Sequence, residues 1–100
     1  VQAARKSETE EDVMSKPVKP EDVLPDGREY ADFDGMSVRK GSVAAFIGNV
    51  HALAEVEPSS PRWREIVAQL RELKPALEGI GVLEVFELRD PELRALVDGL

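Results

Sequence analysis

One histidine and no cysteine in 100 residues narrow the chemistry this chain can carry. His51 is the side chain whose ordinary pKa places a base near neutral pH. Glu55 follows four residues later, within pairing reach on a helix, and Arg39 lies upstream. Together His51 and Arg39 are the residues an enzyme built on this chain would use. The edge of an ordinary packed helix presents the same His–Glu spacing, and that is the simpler reading. Zinc frameworks draw on several Cys or His ligands, so no metal site is expected. Asp32-Phe33-Asp34-Gly35 opens like a calcium loop, which then requires Gly at its sixth position and Glu at its twelfth. Counted from Asp32, those positions hold Ser37 and Val43, so the acids read as two solvated carboxylates in a turn. Gly79-Ile80-Gly81 lacks the third glycine and the βαβ context of a dinucleotide fingerprint, and the chain has no P-loop or nucleophile elbow. No catalytic residue and no cofactor is expected, and no motif is specific enough to imply a family.

Arg39-Lys40-Gly41-Ser42 is the chemically unusual stretch. Two cations stand just before a predicted helix start, where the helix dipole disfavours positive charge. An anion held there by free N–H groups, the Ser42 hydroxyl and the cations would reverse the sign of that interaction. Arg39, Lys40, Gly41 and Ser42 therefore form a candidate anion site. The competing reading is that Arg39 and Lys40 end a hairpin in water, or pair with Asp32 or Asp34. Arg62, Arg64, Arg71 and Lys74 make a second cationic set, but Glu65 and Glu72 interrupt it. The proline-rich segment before it also exceeds the turn of a helix-turn-helix, so nucleic acid is not an expected partner.

The elements that carry these residues can be read from periodicity. Val1–Pro20 has no aromatic residue, little apolar content and an acidic run around residues 8–12. Such a segment cannot bury enough surface to offset its ordering entropy, and a disordered tail is expected there, with residues 21–100 as one domain. Leu24-Pro25-Asp26-Gly27 reads as a turn. Asp34-Gly35 between two short runs predicts a hairpin over about residues 28–39. The segment 42–56 has Val43, Phe46, Ile47, Val50, Leu53 and Ala54 at helical spacing, with Ser42 as the expected N-cap. Its other face repeats Ala44, Gly48 and Ala52, and no Asp, Glu, Lys or Arg occurs from Gly41 until Glu55. An uncharged helix is expected to be buried, and the small-residue stripe is a candidate interface where another backbone could come close.

Ser60-Pro61 is a strong helix start. Trp63, Ile66, Val67, Leu70 and Leu73 then fall on one face, with Trp63 the expected anchor and Pro75 expected to break or restart the helix. Val82–Leu88 fits either a third strand, on its β-branched and aromatic content, or a short helix with Val82, Val85 and Phe86 inward. Asp90-Pro91 opens a last helix that buries Leu93, Leu96 and Val97.

The expected fold is α+β: a short N-terminal β-hairpin packed with three helices, with 82–88 a candidate third strand. An all-α fold with a hairpin arm is the alternative. Net charge is −7 at pH 7, a field that repels nucleic acid and anionic membrane. No run approaches the length of a membrane span, no leader-like pattern opens the sequence, and the absence of cysteine suits a reducing compartment. These features point to a cytoplasmic protein. The functional expectation is a small non-enzymatic interaction domain whose partner is another protein or a second copy in a homodimer. The alternative is an anion- or phosphate-binding domain, or an enzyme using His51 and Arg39.

Overall fold

The structure is a computed structural model and describes residues 17–100. Most of the expected tail, residues 1–16, lies outside the described residues. In chain order the elements are a one-turn helix α1 (Pro20–Val23), strands β1 (Tyr30–Phe33) and β2 (Met36–Arg39), and helices α2 (Ser42–Leu53), α3 (Pro61–Ile80), α4 (Val82–Val85) and α5 (Pro91–Asp98). The fold is α+β, with one two-stranded antiparallel sheet among the described residues.

Local chemistry explains most boundaries. Pro20 opens α1, where the Lys19 amide donates to the Asp22 carboxylate at 3.0 Å. The Arg28 amide closes the following turn on the Pro25 carbonyl. The hairpin pairs Ala31 with Val38 and Phe33 with Met36 across an Asp34-Gly35 turn. Both turn residues have positive φ, 50° and 85°, the geometry that matches the twist of two paired strands. Ser60 caps α3 by accepting from the Trp63 amide, and Asp90 caps α5 by accepting from the Glu92 and Leu93 amides. Each cap is followed by proline at the first helical position, where a missing N–H costs nothing.

Three local expectations are corrected. Ser42 is the first helical residue, not the cap; the cap position falls to Gly41 at φ 89°. The reason lies upstream. The Lys40 amide extends the ladder to the Glu29 carbonyl at 2.7 Å, so the chain must leave the hairpin and start a helix within two residues, which needs a left-handed backbone. Pro75 does not break its helix: α3 continues to Ile80 with Pro75 exposed. The proline ring faces solvent while Leu77, one turn from Leu73, is 1 % exposed. Burying that side chain outweighs one lost backbone hydrogen bond. Val82–Leu88 forms no third strand. Gly81 ends α3 in the left-handed region, its amide donating to the Leu77 and Glu78 carbonyls, and a single helical turn follows. The sheet is instead flanked by the end of α3, where the Met36 sulfur sits 2.9 Å from the place a Cβ on Gly79 would occupy. Residues 82–88 pair with neither strand of the sheet.

The core lies along the seam of α2 and α3. Leu53 shares a cleft with Trp63, and Phe46 shares another with Leu77, so the two helices run antiparallel. Phe46, Leu53, Ile66, Val67, Leu70, Leu77 and Val97 form the buried cluster. Leu70 is fully enclosed, whereas Trp63 is half-buried at the margin; the anchor of the core is the leucine rather than the tryptophan. Lys74 donates to the Asp98 carbonyl at 3.3 Å, tying the end of α5 to α3. Leu70→Ala is expected to cost roughly 2–5 kcal/mol. Pro75→Ala restores an amide and relieves the ring, and should stabilise by about 1–3 kcal/mol. Urea melts of the two variants, read by circular dichroism, check both signs; a neutral Leu70→Ala would mean the seam is not where the stability resides.

Candidate functional site

The surface of α2 departs most from the sequence reading. An uncharged helix was expected to be buried, yet only Phe46 and Leu53 are fully covered. Ala44, Ala45, Ile47, Gly48 and His51 are exposed. The physical reason is the supply of covering elements: α3 packs along one side of α2, while α5 packs on α3. The candidate stripe also divides. A four-residue repeat drifts by about 40° per step around a helix, so Ala44 and Gly48 face solvent while Ala52 turns to the core. A Cβ built on Gly48 meets nothing within 4 Å.

Beside this face runs an apolar groove of about 380 Å³. Val43, Phe46, Ile47 and Val50 of α2 form one wall, and Leu77 of α3 lies in the floor. The opposite wall is Val82, Leu83, Phe86 and Leu88, from α4 and the segment after it, with Glu87 the one titratable side chain in the lining. Ile47 is 49 % exposed, and Val85 and Phe86 are 76 % and 69 % exposed. The inward placement expected of Val85 and Phe86 is therefore corrected: of the three residues assigned inward, Val82 alone packs against the core. The cause is Gly81, which rotates α4 so that one turn can present only Val82 and Leu83 to the cluster. The outer wall is held by Arg94, whose Nε donates to the Leu88 carbonyl at 2.9 Å and lies 3.6 Å from Glu87 Oε1.

The other candidate residues are distributed around α2. Arg39, Lys40 and Gly41 are exposed, and Ser42 is half-buried. The Ser42 hydroxyl donates to the Arg39 carbonyl at 2.7 Å, which fixes the bend into the helix. Neither cation makes an ion pair among the described residues, with Asp32, Asp34 or any other acid. These four residues border a second cleft of about 170 Å³, which runs under the hairpin past Phe33 and Val38 and meets the apolar groove at Val43. His51 lies in the last turn of α2, and Arg39 precedes its first. About 14 Å of helix rise separates them, so they do not share a site. His51 and Glu55 make no ion pair among the described residues.

Among the described residues no group of three or more His, Asp or Glu is placed to hold a metal ion, and no helix is long and apolar enough to cross a membrane. In comparisons with known proteins, the chain matches no family model, no curated protein and no solved structure.

Sequence periodicity missed the groove, because its outer wall depends on how Gly81 turns the chain. Truncation there should be nearly free of cost, since an exposed ring has little burial to lose. Phe86→Ser is expected to shift stability by less than about 1 kcal/mol, against the several lost on truncating Leu70. A thermal melt beside wild type checks this; a large loss would place Phe86 inside the fold and close the groove.

Proposed function

We propose that this chain is a non-catalytic protein-interaction domain that docks its partner along α2 and the adjoining groove. The observation carrying this reading is the run of exposed Ile47, Val85 and Phe86 beside a groove lined almost wholly by apolar side chains. Isolated apolar residues are normal on a surface, whereas a contiguous patch marks an interaction site. A small-molecule pocket also needs several convergent polar groups to orient its ligand. Glu87 is the one such group here, and Arg94 engages it. Apolar side chains from another protein suit the groove better.

Self-association is a second reading, favoured by the open flank of Gly48. Ala44 and Gly48 leave room for a second backbone, and a two-fold axis is the simplest way to supply one.

Binding of an apolar fluorescent dye tests the main reading. Emission should rise with folded wild-type protein and fall on Phe86→Ser and on Ile47→Ser. No rise with wild type, or an undiminished rise with both variants, would remove the groove as a docking surface. Sedimentation decides the second reading: wild type should run as a dimer and Gly48→Leu as a folded monomer. Wild-type monomer across the micromolar range excludes the homodimer and leaves the groove to a different protein.

A further inference from the structure

The electrostatics around α2 are directional. At its N-terminal end, Arg39 and Lys40 border the cleft that joins the groove at Val43. At its C-terminal end, Asp90 and Glu92 line a cleft with Leu53, the last residue of the helix. Glu87 lines the outer wall between them, while Glu84 lines a separate cleft with Lys74; residues 84–92 hold four carboxylates against Arg89. Arg94 lies beside Glu87 and offsets part of that charge. The helix dipole adds to the same gradient, positive toward Ser42 and negative toward Leu53. The groove is thus lined by apolar side chains and Glu87, with Arg39 and Lys40 on the cleft that meets its Val43 end and Asp90 and Glu92 on a separate cleft that begins at Leu53, one helical turn past Val50.

We infer that the groove receives an amphipathic helix running antiparallel to α2, with lysine or arginine flanking its N-terminal turn. This rests on the interaction reading above and names the partner's chemistry. The groove follows α2 from Val43 to Val50, about 11 Å of helix rise, which gives a bed for some two turns of a partner helix. Apolar residues spaced i, i+3, i+4 and i+7 on that helix would meet the α2 wall, the floor at Leu77 and the ring of Phe86. Its basic start would lie against Asp90, Glu92 and the carbonyl end of α2. An acidic end would meet Arg39 and Lys40. A second copy of this chain is the competing occupant, because its own α2 follows Arg39 and Lys40, and the oligomeric state of the full chain separates the two.

Two synthetic peptides of about 18 residues test the orientation against the full chain. Both carry leucines at the spacing above. One has lysines in its first turn and glutamates in its last; its twin has the two sets exchanged. The twin is the better helix former in isolation, because its charges suit its own dipole, so intrinsic helicity works against the expected result. Titration followed by amide shifts should place both peptides on Val43, Ile47, Val50 and Phe86. The lysine-first peptide should bind about tenfold more tightly at low salt, and its advantage should shrink as salt screens it. Phe86→Ser and Ile47→Ser should each weaken binding. Equal or reversed affinities, with binding still lost in both variants, overturn the charge-directed helix and leave a docking groove. No groove shifts with either peptide at millimolar concentration overturn the inference and the interaction reading together. A wild-type dimer broken by Phe86→Ser would give the groove to a second copy and overturn the inference alone.

Discussion

The antiparallel seam of α2 and α3 is the contact on which the rest of the structure depends. Phe46 and Leu53 reach into it from one helix, and Ile66, Leu70 and Leu77 from the other. A folded part this small buries a modest share of its surface, and the described residues contain no buried polar or charged side chain to help specify the core. The seam therefore decides where everything else can go. α3 is the hub: α2 packs on it, Val97 of α5 reaches the same cluster, and its C-terminal end meets both α4 and β2. α2 is covered on the α3 side and has few elements left to cover the others. The groove is a geometric consequence of having one long helix and too few partners for the second.

Exposure of α2 is unusual because of what it exposes. In a chain with net charge −7, solvent normally meets carboxylates and cations, and twenty acidic side chains are available to supply them. The α2 sequence places none of them on the open side, and offers alanine, glycine and isoleucine instead. Exposed apolar area forgoes roughly 25 cal/mol for each Å² left in water. A sequence free to place Lys or Glu at positions 44, 45, 47 and 48 would gain solubility at no cost to the seam, since those positions do not reach it. That choice is the physical basis for proposing a partner at this surface.

The parts of the fold legible in the sequence are those set within a few residues. Ser60-Pro61 and Asp90-Pro91 each combine a capping oxygen with a proline that has no amide to waste, and both helices start there. Asp34-Gly35 forces positive φ at two adjacent positions, and the hairpin follows. What escaped the reading was decided at longer range. Pro75 is a breaker by local rules, but Leu77 is enclosed only if the helix continues past it. Ser42 is a good cap in isolation, yet the bond from Lys40 to Glu29 moves the turn to Gly41. The small-residue stripe was visible as a pattern, but whether it faces protein or water depends on how many elements reach α2. Of the candidate site, the α2 wall was therefore legible as a helix face, and the opposite wall was not.

That opposite wall is also the lightest part of the groove. It consists of a single turn between the left-handed Gly81 and the extended Phe86, followed by a segment held to α5 by Arg94. Val82, Leu83 and Leu88 anchor it to the cluster, while Glu84, Val85, Phe86 and Glu87 are exposed. A wall held by three half-buried side chains opens at lower free energy than the seam does, because local stability follows the buried contacts that opening would break. The α2 wall, fixed by Phe46 and Leu53, is rigid by the same reasoning. A partner seated between them would bind a fixed face on one side and order a lighter one on the other. Its affinity would include the cost of that ordering, so a side chain that holds the wall from outside the lining influences the groove without touching what enters it. Arg94 bonds the Leu88 carbonyl from outside the groove lining, which makes it a positioning residue for the Phe86 side.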